Sequence, residues 1–195
     1  MVLTPSTMLP LGTIAPKFQL PDVTSGKKIS LATFKDRKAL LFIFMCRHCP
    51  FVKHVQEEFL RLQQDYQNSS LGIVAISAND VAKYPDDSPE NLKAMAQENG
   101  FEFPVCYDAD QSVSKAYTAA CTPDFFLFDS ERKLVYRGQL DDSRPSNGLP
   151  VTGKDLRSAI TSVLQDRPIN SDQKPSIGCN IKWIPGNEPN YFGVS

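Results

Sequence analysis

The sequence predicts an α/β domain with a mixed central sheet and helices on both faces. Three observations carry that prediction. Two continuous apolar runs, KALLFIFM at 38–45 and LGIVAIS at 71–77, suit strands buried on both sides. Segments of helical spacing separate and follow these runs, the alternation expected of parallel-strand units. Further on, DFFLFD and KLVYRGQL flank Ser130 and read as an antiparallel pair.

The elements follow in order. After a Pro-rich lead-in, PKFQLPDV and KKISLATF alternate apolar and polar residues around Ser25-Gly26, giving a short N-terminal β-hairpin. The run at 38–45 is a central strand. From Pro50, the residues Phe51, Val55, Phe59 and Leu60, with Leu62 close by, recur at helical spacing to about Gln67. A second buried strand covers 71–77. SPENLKAMAQENG opens on Ser88, Pro89 and Glu90 and closes at Gly100, the signature of a capped helix. FPVCYD is a short strand and QSVSKAYTA a short helix. The antiparallel pair comes next, and GKDLRSAITSVLQ is a final helix with Gly153 as the breaker before it. Residues 168–195 contain four prolines, the only tryptophan and no clear period. They are expected to form an extended tail lying over a domain at 1–167. There is no internal repeat.

A chain of 195 residues suits one domain with a sizeable core. Its 21 basic and 22 acidic residues leave no basic face of the kind a nucleic-acid partner needs. No segment approaches the roughly 18 apolar residues of a membrane span. The first twenty residues lack a basic start followed by an unbroken apolar stretch, so no secretory signal is expected. Five cysteines in such a chain are expected to be reduced thiols in the cytoplasm rather than a disulfide framework.

Two of those cysteines carry the chemistry. LLFIFMCRHCPFVKH places Cys46-Arg47-His48-Cys49-Pro50 where a buried strand meets a helix. Near a helix N-terminus, unpaired N–H groups and the dipole favour a negative charge, which lowers a thiol pKa. The expectation is that Cys46 is the activated thiol, that Arg47 and cationic His48 stabilise its thiolate, and that Cys49 stands one turn in, ready to close a disulfide. Pro50 fits the start of the helix, where its missing N–H costs little. Downstream, Thr122-Pro123 precedes a strand, where proline cannot lie in mid-ladder.

The order of elements, FMCRHC at the first strand–helix junction and TPDFFLFD before a β-hairpin together resemble the thioredoxin superfamily. The opening APKFQLPDVTSGKKISLATFKD is similar to its peroxiredoxin-like, alkyl hydroperoxide reductase/thiol-specific antioxidant branch. The tail SIGCNIKWIPGNEP resembles a subgroup of that branch that carries C-x-x-C-P. The resemblance implies a thioredoxin-like fold, Cys46 as exposed attacking thiol, Cys49 as resolving thiol, and a cis Thr122-Pro123 peptide packed against the pair. Peroxiredoxins carry P-x-x-x-T-x-x-C and an activating Arg. With Cys49 in the peroxidatic slot, Cys46 replaces the Thr, Phe42 the Pro, and Pro123 falls where the Arg belongs. Thioredoxin has a Trp before its first cysteine, and Met45 stands there here. His48 matches the C-x-H-C pattern of disulfide isomerases, which implies a potential above the roughly −270 mV of thioredoxin.

The leading reading is therefore a thiol–disulfide oxidoreductase with a redox-active Cys46–Cys49 disulfide and no other cofactor. Its expected partners are a protein or small-molecule disulfide and a thiol reductant, with Thr122 and Pro123 offering backbone to the bound chain. Two alternatives stand beside it. One is a thiol-dependent peroxidase using Cys46 or Cys49. The other is a Cu(I) or zinc site built from Cys46, Cys49 and either His54 or Cys121, although the absence of a second C-x-x-C argues against zinc. Cys121 is a candidate third redox thiol because it lies two residues before Pro123. Cys106 reads as a core residue and His54 as solvated helix surface. Cys179 reaches the pair only if the tail folds back. DDSRPSNGLP at 141–150 reads as an exposed loop.

Overall fold

In the computed structural model, which describes residues 3–193, the chain runs β1 (Leu3–Pro5), β2 (Gln19–Pro21), β3 (Lys28–Ser30), β4 (Ala39–Phe44), α1 (Pro50–Tyr66), β5 (Leu71–Ser77) and α2 (Pro89–Glu98). It continues with β6 (Val105–Tyr107), α3 (Ser112–Ala116), β7 (Cys121–Thr122), β8 (Asp124–Phe128), β9 (Leu134–Gly138), α4 (Lys154–Leu164) and β10 (Ile177–Asn180). Five strands form the main sheet in the order β6-β5-β4-β8-β9. The β4–β5 and β5–β6 pairs are parallel, whereas β4–β8 and β8–β9 are antiparallel. The sheet is mixed because the first three strands are joined through helices and the last two by a direct turn.

All six residues of β4 are buried, as a central strand with two covered faces requires. Leu41 and Ile43 point into a cluster with Val52, Val55, Phe59 and Leu62 of α1, Leu92 and Met95 of α2, and Leu156 and Ile160 of α4. Their neighbours Leu40, Phe42 and Phe44 point the other way, toward Leu20 and Ile29 of the hairpin and Val113 of α3. Each such side chain contributes about 1.5–3 kcal/mol on burial. The second face thus has one five-residue helix, and the hairpin and the tail cover the rest.

Local signals fix the element ends. Ser88 Oγ accepts the Asn91 N–H at 3.3 Å to cap α2, and Pro89 stands at its first position. Gly153 is the N-cap of α4 in a left-handed conformation, and a Cβ there would lie 2.5 Å from Glu58 Oε1. In the 141–150 loop, Asp141 and Ser143 are buried rather than exposed. One Asp141 carboxylate gathers the N–H groups of Ser143, Thr152 and Gly153. No described helix is long and apolar enough to cross a membrane.

Residues beyond 167 do more than lie extended. They contain β10, the middle strand of a small antiparallel sheet ordered β1-β10-β7. Ile181 and Trp183 then enter the second core cluster.

Candidate active site

β4 delivers Met45 and Cys46 to the end of the sheet, where the Met45 N–H still bonds the Ile76 carbonyl at 2.9 Å. Helix α1 does not begin at Cys46. Pro50 occupies its first position and Cys49 is the N-cap, with φ −69° and ψ 124°. The proline sets this register, since the first helical position is where a residue without an N–H fits best. It is therefore Cys49 that meets the positive end of the helix, three residues later than the sequence reading placed it. Nor is Cys46 exposed: it is 1% accessible, and Cys49 is fully buried.

Thr122 touches both sulfurs. Its Oγ1 lies 3.3 Å from Cys46 Sγ and its carbonyl oxygen 3.2 Å from Cys49 Sγ. The Thr122-Pro123 peptide is cis. A third sulfur completes the group, because Cys179 Sγ of β10 stands 2.8 Å from Cys49 Sγ. The sequence offered two thiols for that place, Cys121 and, with the tail folded back, Cys179, and it is the second that arrives. Cys121 is buried, but its Sγ faces the Pro123 carbonyl at 3.6 Å, and burial first, then Asp124, push its thiol well up. Adjacent residues of one strand point to opposite faces, so Thr122 at the sulfurs turns Cys121 away. Cys106 sits in the core, with burial pushing its thiol up to about 12.

The electrostatics select Cys49 as the charged sulfur. Hydrogen bonds from the Cys179 and Cys46 thiols hold Cys49 far below the ordinary thiol range, against the opposing effect of burial. Cys46 is pushed up by its bond to Cys49, by burial and by the charge of Asp87. Cys179 is pushed up by the same partner, Cys49, and by burial. The three thiols thus shift in opposite directions, Cys49 at the helix N-cap down and its partners Cys46 and Cys179 up.

His48 stays beside Cys46, its ring nitrogen within 4.8 Å of the sulfur, whereas the Arg47 guanidinium turns to α2. The Arg47 guanidinium pairs with Glu98 of α2 at 3.9 Å. His48 Nδ1 lies 2.5 Å from Asp87 Oδ2, and its ring stacks on Tyr84. That hydrogen bond raises the His48 pKa, with the Cys49 charge adding to it. Asp87, fully buried, also accepts the Arg47 N–H at 2.7 Å, the His48 N–H at 3.3 Å and Asn79 Nδ2 at 2.7 Å. It fixes the loop between the cysteines, and no sequence pattern marks it.

Cys46, His48 and Asp87 place possible metal-ligand atoms within 4.8 Å of one another. This is a different set from the one the sequence suggested. It falls short of four ligands, and His48 Nδ1 and the Asp87 oxygens are already engaged with each other, Asn79 and the loop amides. The geometry is that of a hydrogen-bond network.

His54 is half-buried rather than solvated. Its Nε2 is enclosed without a hydrogen-bond partner and lines a small cavity of about 20 Å³ with Phe51 and Pro123. Beyond Pro123, Asp124 and Arg137 form a fully buried ion pair at 3.3 Å, with Ser6 Oγ donating to the same carboxylate at 2.9 Å. Arg137 further donates to the Thr118 carbonyl and covers the Phe126 ring. This network anchors the strand that begins at the cis proline.

Comparison with known proteins agrees with this architecture. Thiol-disulfide oxidoreductase ResA of Bacillus subtilis is 29% identical over 127 residues, 64% of this chain and 64% of that protein's own length. Peroxiredoxin Bcp of Escherichia coli is 26% identical over 152 residues, 71% of this chain and 90% of Bcp. The crystal structure of a conserved protein from Geobacillus kaustophilus superposes with a TM-score of 0.93 at 54% identity, covering 95% of this chain and 98% of that one. The thioredoxin domain of a Bacteroides vulgatus thiol-disulfide oxidoreductase superposes at 0.62 over 80% of this chain and 99% of its own, at 21% identity, which identifies the fold as thioredoxin-like. The AhpC/TSA family profile matches residues 11–137, and with the mixed sheet and the strand–helix cysteine pair already described, the chain belongs to the AhpC/TSA family, a peroxiredoxin-like branch of the thioredoxin superfamily.

Proposed function

We propose that the chain is a thiol–disulfide oxidoreductase whose centre is the pair Cys46 and Cys49. The observation that carries this reading is Thr122, one residue in contact with both sulfurs at the cis peptide to Pro123. The Cys49 thiolate attacks one sulfur of a substrate disulfide, and the other substrate sulfur leaves and takes a proton. Cys46 then gives up its proton and attacks Cys49 in the mixed disulfide. The second substrate thiol is released and Cys46–Cys49 remains as the disulfide. The roles are the reverse of the sequence expectation, because the helix N-cap and the neighbouring thiols all favour charge on Cys49.

Arg47 and His48 act by position, through the loop that Asp87 holds. A thiol reductant returns the electrons, and no other cofactor takes part. The partners are disulfides, protein or small, and neither nucleic acid nor membrane. A reducing cytoplasmic setting suits five free thiols.

One observation favours a second reading. All three clustered sulfurs are nearly inaccessible, which admits a small hydroperoxide more readily than a folded protein. In that reaction the Cys49 thiolate takes one peroxide oxygen to become a sulfenic acid and releases an alcohol. Cys46 then displaces water to form the same disulfide. The Thr and Arg of efficient peroxidases are lacking, and Arg137 is engaged by Asp124.

The deciding experiment is a glutathione redox titration of wild type, Cys46→Ser and Cys49→Ser, with ultraviolet thiolate absorbance read in parallel. A reversible Cys46–Cys49 bond is expected, at a potential above the roughly −270 mV of thioredoxin because a stabilised thiolate favours the reduced form. Thiolate absorbance at neutral pH should survive in Cys46→Ser and vanish in Cys49→Ser. Absence of any bond between the two cysteines sinks the proposal, whereas turnover confined to hydroperoxides transfers it to the second reading.

A further inference from the structure

The backbone edge that the reaction needs at Thr122 is already paired with the chain itself. β10 runs antiparallel to β7 with Cys179 opposite Thr122 and Asn180 opposite Cys121. β1 covers the other edge of β10, setting Leu3 opposite Cys179. The approach is so close that a Cβ on Gly178 would stand 2.1 Å from the Thr122 carbonyl oxygen, and glycine alone admits the strand. Cys179 is thereby carried to 2.8 Å from the Cys49 sulfur. An extended segment on a free backbone edge, presenting a sulfur to the reactive thiolate, is what a bound disulfide substrate would look like.

We propose that Cys179 is a third redox thiol and that β10 is an internal disulfide partner, to which the centre passes its disulfide from Cys46–Cys49 to Cys49–Cys179. The proposal rests on the reading of Cys46 and Cys49 as a dithiol centre. Once a substrate disulfide has been reduced and Cys46–Cys49 has formed, Cys179 loses its proton and its thiolate attacks the Cys49 sulfur. The Cys49–Cys179 bond forms as the Cys46–Cys49 bond breaks. The electron pair of the broken bond leaves on Cys46, which takes up a proton. One disulfide is exchanged for another, so no further oxidant is needed.

Geometry and charge both support the step. A disulfide is about 2.05 Å long, so the Cys49 and Cys179 sulfurs are within about 1 Å of bonding distance before any backbone movement. In the reduced centre the charge on Cys49 keeps Cys179 protonated. Oxidation of Cys49 removes that charge, and Lys182 nearby then favours the Cys179 thiolate. The exchange also fastens β10 covalently to the N-cap of α1 and closes the Thr122 edge to an outside chain. With the bond at Cys46–Cys49, β10 is held by strand pairing and packing alone, without a covalent link.

The test uses the full chain as wild type, Cys46→Ser and Cys179→Ser, equilibrated in glutathione redox buffer, quenched in acid, alkylated and mapped by mass spectrometry. Cys46→Ser should form Cys49–Cys179. Wild type should show Cys46–Cys49 early after addition of oxidised glutathione and Cys49–Cys179 later, and Cys179→Ser only Cys46–Cys49. If Cys49 in Cys46→Ser carries only glutathione while Cys179→Ser forms its bond, the relay is overturned and the dithiol centre stands. If no protein forms Cys46–Cys49, both are overturned. Should a variant not fold, the wild-type map decides alone: a time course without the Cys49–Cys179 peptide ends the proposal.

Discussion

The fully buried Asp87 carboxylate accepts the backbone N–H groups of Arg47 and His48, an Asn79 amide proton and a hydrogen bond from the His48 ring. Because that ring bond raises the His48 pKa, its stabilisation is full below about pH 6.5, the ordinary histidine value, and is lost as the pH rises through the raised value. Asp87 has the opposite sign: its pKa is lowered, so its share is present above about pH 4 and is lost as the pH falls through the depressed value. The pair therefore contributes fully between about pH 4 and 6.5. Asp87→Asn should lower the His48 midpoint, read by NMR, and flatten the fall in stability on its alkaline side. An unmoved midpoint would remove the pairing from the account. At this scale the sequence revealed what is local. The cysteine pair, Pro50 and Thr122-Pro123 stood out because each has a chemical reason to lie at a strand–helix or strand boundary. Asp87 did not, because its role comes from a contact 39 residues away that leaves no mark on its neighbours, and Cys179 could be placed only conditionally, since its partner lies 130 residues off.

Among the elements, β10 has the tightest geometric requirement. Gly178→Ala would drive a methyl group into the Thr122 carbonyl, a clash worth about 1–3 kcal/mol. Placed on one short strand, that strain should raise the opening of β10 by about five- to 150-fold, measured as faster alkylation of Cys179 in the reduced protein. An unchanged rate would mean that β10 is not held against the cis-proline loop. The long elements were legible for a plain reason: β4, β5, α1, α2 and α4 each bury a continuous run or a helical stripe. The small sheet was not. β1, β7 and β10 have three, two and four residues, too few to display an alternation. Pairing across the whole chain defines them, and local pattern does not. The start of α1 at Pro50 was legible, but which cysteine caps it was not: the proline at the first position makes Cys49 the N-cap and leaves Cys46 outside the helix.

Across the whole molecule, the face of the sheet opposite α1 is closed in part by a segment that sequence alone read as an extended tail lying over the domain. Trp183 is 7% exposed, enters the cluster with Phe42 and Phe126, and packs edge-on against Tyr191. As the only tryptophan, it makes the docking of residues beyond 167 visible. Denaturant unfolding followed by Trp183 emission should coincide with that followed by far-ultraviolet circular dichroism, because tail and domain share one core. An earlier emission transition would show that the tail detaches as a separate unit. The separation between Cys49 and Cys179 has a bearing on how the protein is made. At synthesis rates of about 5–20 residues per second, the 130 residues between them take roughly 7 to 26 seconds to emerge from the ribosome. Throughout that interval the nascent chain carries its reactive pair without the strand that will cover it. A newborn molecule is thus open to its oxidants and reductants in a way the finished one is not.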